Sequence, residues 1–389
     1  MIPTCSLPLL IYYFCNLMQW PLSLMAEHLK KSAFSVRICW NTENGVFVQM
    51  NEYVIALDAM GGDHAPDAIV RGACKALRSM PDIRILLSGP QDRLEQLLSD
   101  SADVRERIEI LNATQVIEMD ESPMLAVRTK RDSSLVVAMN AVRERRAGAV
   151  VSAGSTGAVL AGGMFKVGRI PGVERPALAP VFPGVQKDVL LLDAGANVDC
   201  QSRYLLQFGL MGAAYMQGVK NVQNPKVGLV NIGTEAEKGN KLVKETFALM
   251  EKQTAYRFGG NLEARDIMTG DFDVAVADGF AGNLILKNTE GIAKAMFTIL
   301  KTELMGSLPS KIGAMLAKPA FRRVKKRMDY NAVGGAPLLG VEGAVVKAHG
   351  SSGDAAIANA IAQARSMLEG DVVGKIREGL KAIEEMQNG

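Results

Sequence analysis

The sequence predicts an α/β protein built on a mostly parallel sheet covered by helices on both faces, and three features predict it. From Tyr53 onward short, continuous apolar runs recur, each closes on a glycine-bearing turn, and a helical stretch follows. Uniformly apolar strands belong to sheets buried on both faces, because a sheet with one wet face alternates apolar with polar residues. In such sheets ligands sit beyond the carboxyl ends of the strands, which is where these turns lie.

In chain order, Val54–Leu57 runs into Asp58-Ala59-Met60-Gly61-Gly62-Asp63-His64-Ala65-Pro66. Ile85–Leu87 runs into Ser88-Gly89-Pro90, and Ile108–Leu111 follows a helix. Ala149–Val151 leads to Ser152-Ala153-Gly154-Ser155-Thr156-Gly157, and Val189–Leu192 to Asp193-Ala194-Gly195-Ala196-Asn197. Val227–Val230 leads to Asn231-Ile232-Gly233-Thr234-Glu235, and Val274–Ala277 to Asp278-Gly279-Phe280-Ala281-Gly282-Asn283. The segment 295–329 breaks this rhythm. Its apolar residues fall at helical spacing (Met296, Phe297, Leu300, Leu304, Ile312, Met315, Leu316), and Gly306 and Pro309 interrupt it, which predicts two helices joined as a hairpin. A basic run, Arg322, Arg323, Lys325, Lys326 and Arg327, closes it. Asn331–Gly340 and Lys347–Gly353 return to glycine-rich loops, and a final helix is expected over Ala355–Leu368.

The chain has 389 residues, 48% of them hydrophobic, which is ample for a core. A net charge of +3 gives nucleic acid no bulk attraction, so any charge argument must come from local clusters. Five cysteines without a CxxC, and three histidines, make neither a zinc pattern nor a disulfide framework, and the cytosol is the default compartment. Residues 1–49 read differently from the rest. Nothing before Glu27 is charged and Leu7–Trp20 is strongly apolar. That run is short of the roughly 20 residues a membrane span needs, and Met1-Ile2-Pro3-Thr4 lacks the basic start of a signal peptide. Residues 1–49 are therefore expected to be an atypical extension outside the fold, upstream of a start at Met25 or Met50, with a weak membrane segment as the alternative. Residues 50–389 are expected to form the α/β domain.

Glycine lets backbone N–H groups approach an anion closely, and Ser152–Ala158 is the best single candidate for a phosphate cradle. No loop is a P-loop or a full GxGxxG fingerprint, and any one of them is as readily a tight turn; several on one sheet point to an anionic ligand. Nucleophilic catalysis has little support. There is no GxSxG elbow, Cys74 falls inside a helical stretch, and Cys200 has no positioned histidine. Asp58, Asp193 and Asp278 end strands, where carboxylates cap the next helix, and His64 and His349 read as structural hydrogen-bonding groups. The pattern suits a reaction whose nucleophile is an anion within the substrate, needing a cation to hold it and donors for the developing oxyanion. Lys238, in the polar loop Asn231–Asn240, and Asn283, at a helix start, could supply these; a solvated lysine and a helix N-cap are the plain alternatives.

At these residues the sequence resembles the bacterial acyl-ACP:phosphate acyltransferase family (PlsX). The matching segments run in order: Ile55–Pro66, Ser152–Ala158, Gly168–Ile170, Arg175–Pro180, Leu192–Asp199, Asn231–Asn240, Glu263–Asp266, Asp278–Asn283, Gly334–Ala336 and Lys347–Ser352. The resemblance implies a three-layer α/β/α homodimer similar to phosphate acetyltransferases and isocitrate-dehydrogenase-like enzymes. It implies reversible transfer of a fatty acyl group from acyl carrier protein to inorganic phosphate, for phospholipid synthesis. A membrane-bound acyltransferase then passes the acyl group to glycerol 3-phosphate. It assigns Lys238 to phosphate or oxyanion charge and Asn283 to oxyanion hydrogen bonding. Gly154, Ser155, Thr156, Gly157, Asn197, Thr234 and His349 fall to phosphate and substrate binding. The hairpin, with Arg322, Arg323, Lys325, Lys326 and Arg327, falls to the carrier protein or the membrane, so a cytoplasmic protein with peripheral membrane contact is expected. No metal or cofactor is implied. Residues 1–49 depart from the family pattern. The rival readings are an oxidoreductase on the same fold class, an acyltransferase using acyl-CoA, and a non-catalytic membrane or carrier-protein adaptor.

Overall fold

The computed structural model describes residues 36–41, 45–50, 52–327 and 334–388, with 36–50, 325–327 and 386–388 described by backbone alone. The apolar run Leu7–Trp20 and the loop residues 331–333 lie outside the described residues. The chain divides into two units, Met1–Tyr53 and Val54–Gly389. In the first, β1 (Val36–Asn41) and β2 (Gly45–Met50) form an antiparallel pair with Val36 opposite Met50.

In the second unit strands and helices alternate as the apolar runs require. They are β3 (Tyr53–Asp58), α1 (Asp67–Ser79), β4 (Ile83–Gly89), α2 (Gln91–Leu98), β5 (Ile108–Asn112), α3 (Pro123–Thr129), α4 (Ser134–Arg143), β6 (Ala149–Ser152) and α5 (Thr156–Gly162). Two short strands follow, β7 (Ala177–Leu178) and β8 (Val181–Phe182), then β9 (Val189–Leu192), α6 (Ser202–Lys220), β10 (Lys226–Asn231), α7 (Lys241–Lys252), β11 (Arg257–Glu263) and β12 (Val274–Val276). The chain ends with α8 (Gly279–Leu304), α9 (Leu308–Arg327), β13 (Ala336–Leu339), β14 (Ala344–Lys347), α10 (Asp354–Glu369) and α11 (Val372–Asn388).

The strands form two sheets rather than the single one expected. The larger has the order β5-β4-β3-β6-β14-β13-β7 and the smaller β11-β10-β12-β9-β8. In the first, β3, β6 and β14 are parallel neighbours; in the second, β10, β12 and β9 are. Ala177–Phe182 crosses between them, with β7 at the edge of one sheet, β8 at the edge of the other, and Pro180 accepting a hydrogen bond from Leu191 N–H at 3.0 Å. The division was hidden because β7 and β8 are only two residues long and β13 lies in the stretch Asn331–Gly340 read as a glycine-rich loop. Helix α6 packs on β9 and β12 and also on α10 and α11, so it ties the two halves together. Ile55, Leu57, Leu191 and Val274 are fully buried, as sheets covered on both faces demand.

Two helices differ from expectation. Helix α8 begins at Gly279, not near Ala295, because Asp278 caps it by accepting from Ala281 N–H at 2.7 Å and no proline stops it before Gly306. Helix α11 was not expected at all, although Val372, Ile376, Leu380 and Ile383 bury one face at helical spacing. The hairpin itself is present as α8 and α9, with Pro319 inside α9.

Candidate active site

Parallel register brings three strand ends together on the larger sheet. Leu57 lies beside Val151, and Ser152 beside Lys347, so β3, β6 and β14 end in a row of Asp58, Ser152 and Lys347. These residues are 2%, 1% and 7% exposed. Ser152 Oγ donates to Asp58 Oδ2 at 2.7 Å and accepts from Gly154 N–H at 3.0 Å, so one donor of the expected cradle is already used. Burial raises the Asp58 pKa, against the Ser134 and Ser152 hydroxyls and the N–H groups of Met60 and Gly61, which pull it down. Gly61 is required here. A Cβ at that position would meet Asp58 Oδ2 and Gly154 N, both at 2.6 Å. Ser155 is buried, Gly157 half-buried and Thr156 exposed.

The loop after β14 closes over this row. Asp63 N–H donates to Gly350 O at 2.8 Å, and Ala348 N–H to Ser152 O at 2.9 Å. His349 Nδ1 accepts from Ser351 N–H at 3.2 Å, and its pKa is lowered by burial and then by Lys347. The opposing charges of Glu290 and Lys287, both on α8, also reach this ring. Lys347 donates Nζ–H to Ala348 O, and burial depresses its pKa to about 8 although Asp63 and Asp58 favour its charged form.

On the smaller sheet β10, β12 and β9 end side by side. Asp193 gathers the loop after β9, accepting from Leu178 N–H at 2.9 Å, Ala196 N–H at 3.2 Å and Asn197 N–H at 2.6 Å. It is fully buried and burial raises its pKa. Asn197 Nδ2 donates to Asp193 Oδ2 and to Pro176 O, while Gly279 N–H donates to Asn197 O at 2.8 Å. The first turn of α8 thus rests on this loop, and a Cβ on Gly282 would fall 1.9 Å from Asp193 O. Asn283 is exposed in the next turn, its Oδ1 3.6 Å from where a Cβ on Gly195 would stand. Asp278, not Asn283, is the N-cap. Of the three strand-end aspartates only Asp278 caps a helix; the other two hold loops. Cys200 donates to Asn197 O at 3.4 Å, and burial pushes its thiol up to about 12, so it is held as a thiol. Cys74 is buried in α1, as its helical setting predicted.

Lys238 and Thr234 occupy the neighbouring loop, both exposed. That loop is braced by its backbone: Asn231 Nδ2 donates to Lys238 O at 3.1 Å and Asn261 Nδ2 to Glu235 O at 2.8 Å. The sequence-predicted residues therefore fall into two groups. Gly154–Gly157 and His349 lie on the edge of the larger sheet, and Asn197, Asn283, Thr234 and Lys238 on that of the smaller. Helix α8 joins the groups, carrying Asn283 beside one and Lys287 and Glu290 toward His349 of the other. Arg322 and Arg323 are exposed on α9; Lys325, Lys326 and Arg327 belong to α9, but their side chains lie outside the described residues. Ser152 belongs to the expected cradle Ser152–Ala158, whereas Asp58 and Lys347 were not singled out as site residues, though a lysine ending the run Ala344-Val345-Val346 was a readable signal. Among the described residues no three His, Cys, Asp or Glu side chains converge as metal ligands.

A model of the fatty acid synthesis protein family matches residues 53–375. The phosphate acyltransferase of Clostridium perfringens is 48% identical over 336 residues, spanning 86% of this chain and 99% of its own. That of Alkaliphilus oremlandii is 48% identical over 329 residues, spanning 85% and 98%. Among solved structures, a phosphotransacetylase from Streptococcus pyogenes superposes with a TM-score of 0.54 at 15% identity, over 83% of this chain and 94% of that one. This last likeness is one of fold.

Proposed function

The chain belongs to the fatty acid synthesis protein family and is an acyltransferase, and from that premise we propose that it moves a fatty acyl group from acyl carrier protein to inorganic phosphate. A phosphate oxygen attacks the thioester carbonyl, the C–O bond forms, and the tetrahedral oxyanion collapses with cleavage of C–S. The thiolate leaves on the carrier, takes a proton from solvent, and acyl phosphate remains. No enzyme nucleophile is required, in keeping with the buried Cys74 and the raised pKa of Cys200. Asn283 is assigned to hydrogen bonding of the oxyanion and Lys238 to phosphate charge, with Gly154–Gly157, Asn197, Thr234 and His349 around the substrate.

One observation carries this reading. Helix α8 starts among loops suited to a small anion and runs without a break to an apolar surface suited to a long acyl chain. After Gly282 none of its residues is buried, and Leu284, Ile292, Met296 and Ile299 lie open along it, continued by Ile312, Met315 and Leu316 on α9. Among the described residues no helix is long and apolar enough to cross a membrane. A surface of this kind, next to Arg322 and Arg323, suits an acidic carrier protein, the anionic face of a bilayer and the second copy of a homodimer. The product would then be within reach of a membrane-bound glycerol-3-phosphate acyltransferase, placing the reaction in phospholipid synthesis.

The test is to supply the chain with acyl carrier protein bearing a fatty acyl group, plus inorganic phosphate, and trap acyl phosphate as its hydroxamate. Phosphate-dependent hydroxamate and release of the free carrier thiol are expected, with acyl-CoA a poorer donor. Product from acyl-CoA but not from the carrier would overturn the donor assignment.

A further inference from the structure

We propose that Lys347 is the charge-setting positioning residue of the phosphate site: its buried ammonium offsets the negative charge of the carboxylates at this sheet edge and so admits the anion. This rests on the reading that phosphate binds at the loops after β3, β6 and β14. Three parallel neighbours there end in Asp58, Ser152 and Lys347, all at least nine-tenths buried. Asp63 faces the same ammonium from the loop after β3, and its N–H is tied to Gly350 O. Two carboxylates beside an anion site would repel phosphate. The ammonium that interacts with both is what makes the edge hospitable.

The same ammonium acts on the loop. By donating to Ala348 O it pins the turn that carries His349 and Ser352. Ser352 Oγ, in a residue only 4% exposed, has no hydrogen-bond partner, so this turn holds a buried hydroxyl able to serve a bound oxyanion. The ionisable groups facing Lys347 are Asp58 and Asp63 from β3 and its loop and His349 from its own loop. Lys287 and Glu290 of α8 stand behind His349. Burial lowers His349 and raises Asp58 from their ordinary values, and it brings Lys347 down to about 8. Loss of the Lys347 proton leaves the carboxylates unopposed, and the edge repels an anion more strongly.

The experiment is calorimetric titration of the full chain with inorganic phosphate from about pH 7 to about pH 10, above which range lysine is ordinarily neutral. Over the upper part of that window phosphate is already the dianion, so its own ionisation does not contribute. In the wild type, affinity is expected to fall by about tenfold per pH unit above the Lys347 value. Lys347→Arg, whose guanidinium does not titrate, keeps it flat. Lys347→Met leaves Asp58 unopposed and loses binding. Lys347→Met combined with Asp58→Asn removes one charge of each sign, leaves the net charge of the edge as in the wild type, and binds without pH dependence. Melting temperature supplies the control. A lysine depressed in the folded state makes the protein more stable as pH rises from its folded to its unfolded value, opposite in sign to the binding change. A purely structural Lys347 would show that rise with a flat phosphate affinity, and this result would overturn the proposal, as would a persisting fall in Lys347→Arg. Absence of wild-type binding at every pH would instead remove the phosphate reading itself, and the proposal with it.

Discussion

Asn283 and Lys238 differ in how the fold supports them. Asn283 is carried on a capped helix seated against the Asp193 loop, so its amide is held in place although exposed. Lys238 has a braced backbone and an exposed side chain, which suits a group that meets an anion from solvent. Removing one oxyanion donor costs about 10²–10³ in rate, so Asn283→Ala is expected to lower kcat by that order. Because the side chain is exposed, its melting temperature should stay near wild type. Lys238→Ala is expected to raise the KM for phosphate more than it lowers kcat. Steady-state kinetics alongside thermal melts check both, and a normal rate from either folded variant removes that residue from the site.

At the scale of elements, α8 spans from the Asp193 loop to the turn before α9, so the proposed catalytic role and the proposed surface contact fall on one hairpin. Its open apolar residues recur every three or four positions, so they form a stripe rather than a scatter. Such a stripe beside basic residues favours an anionic surface, each basic residue being worth about 1 kcal/mol there. Replacing Arg322, Arg323, Lys325, Lys326 and Arg327 by Gln is expected to abolish sedimentation with anionic vesicles and to raise the KM for the acyl carrier protein. Wild-type binding should weaken with salt and be absent for neutral vesicles. Salt-insensitive binding by the Gln variant would leave the basic run without this role.

For the whole molecule, the division at Tyr53 coincides with the start of the family match. Every contact described at both sheet edges lies within Val54–Gly389, and so does the buried core of the described residues. A chain begun at Met50 is therefore expected to keep the main thermal transition and the acyl phosphate activity of the full chain. Differential scanning calorimetry with the hydroxamate assay checks this; loss of the transition would make residues 1–49 part of the fold.

The sequence by itself determined the α/β class and the seven strands whose apolar runs it predicts, since strands buried on both faces are written mainly in Val, Leu, Ile and Ala, with β5 and its exposed Glu109 the exception. It also determined the glycine turns at their ends and the existence of the hairpin, because local spacing and breakers decide both. Only the tertiary structure decided that the strands split into two sheets, since β7 and β8 are two residues each and β13 sits in a glycine-rich stretch read as loop, so all three are recognised through their pairing partners. It alone placed Asp58, Ser152 and Lys347 in one row. Those residues stand up to about 300 positions apart, from β3 to β14, and only parallel register sets their ends side by side. The burial that moves their charges likewise belongs to the assembled sheet, because desolvation depends on what surrounds a group and not on its neighbours along the chain.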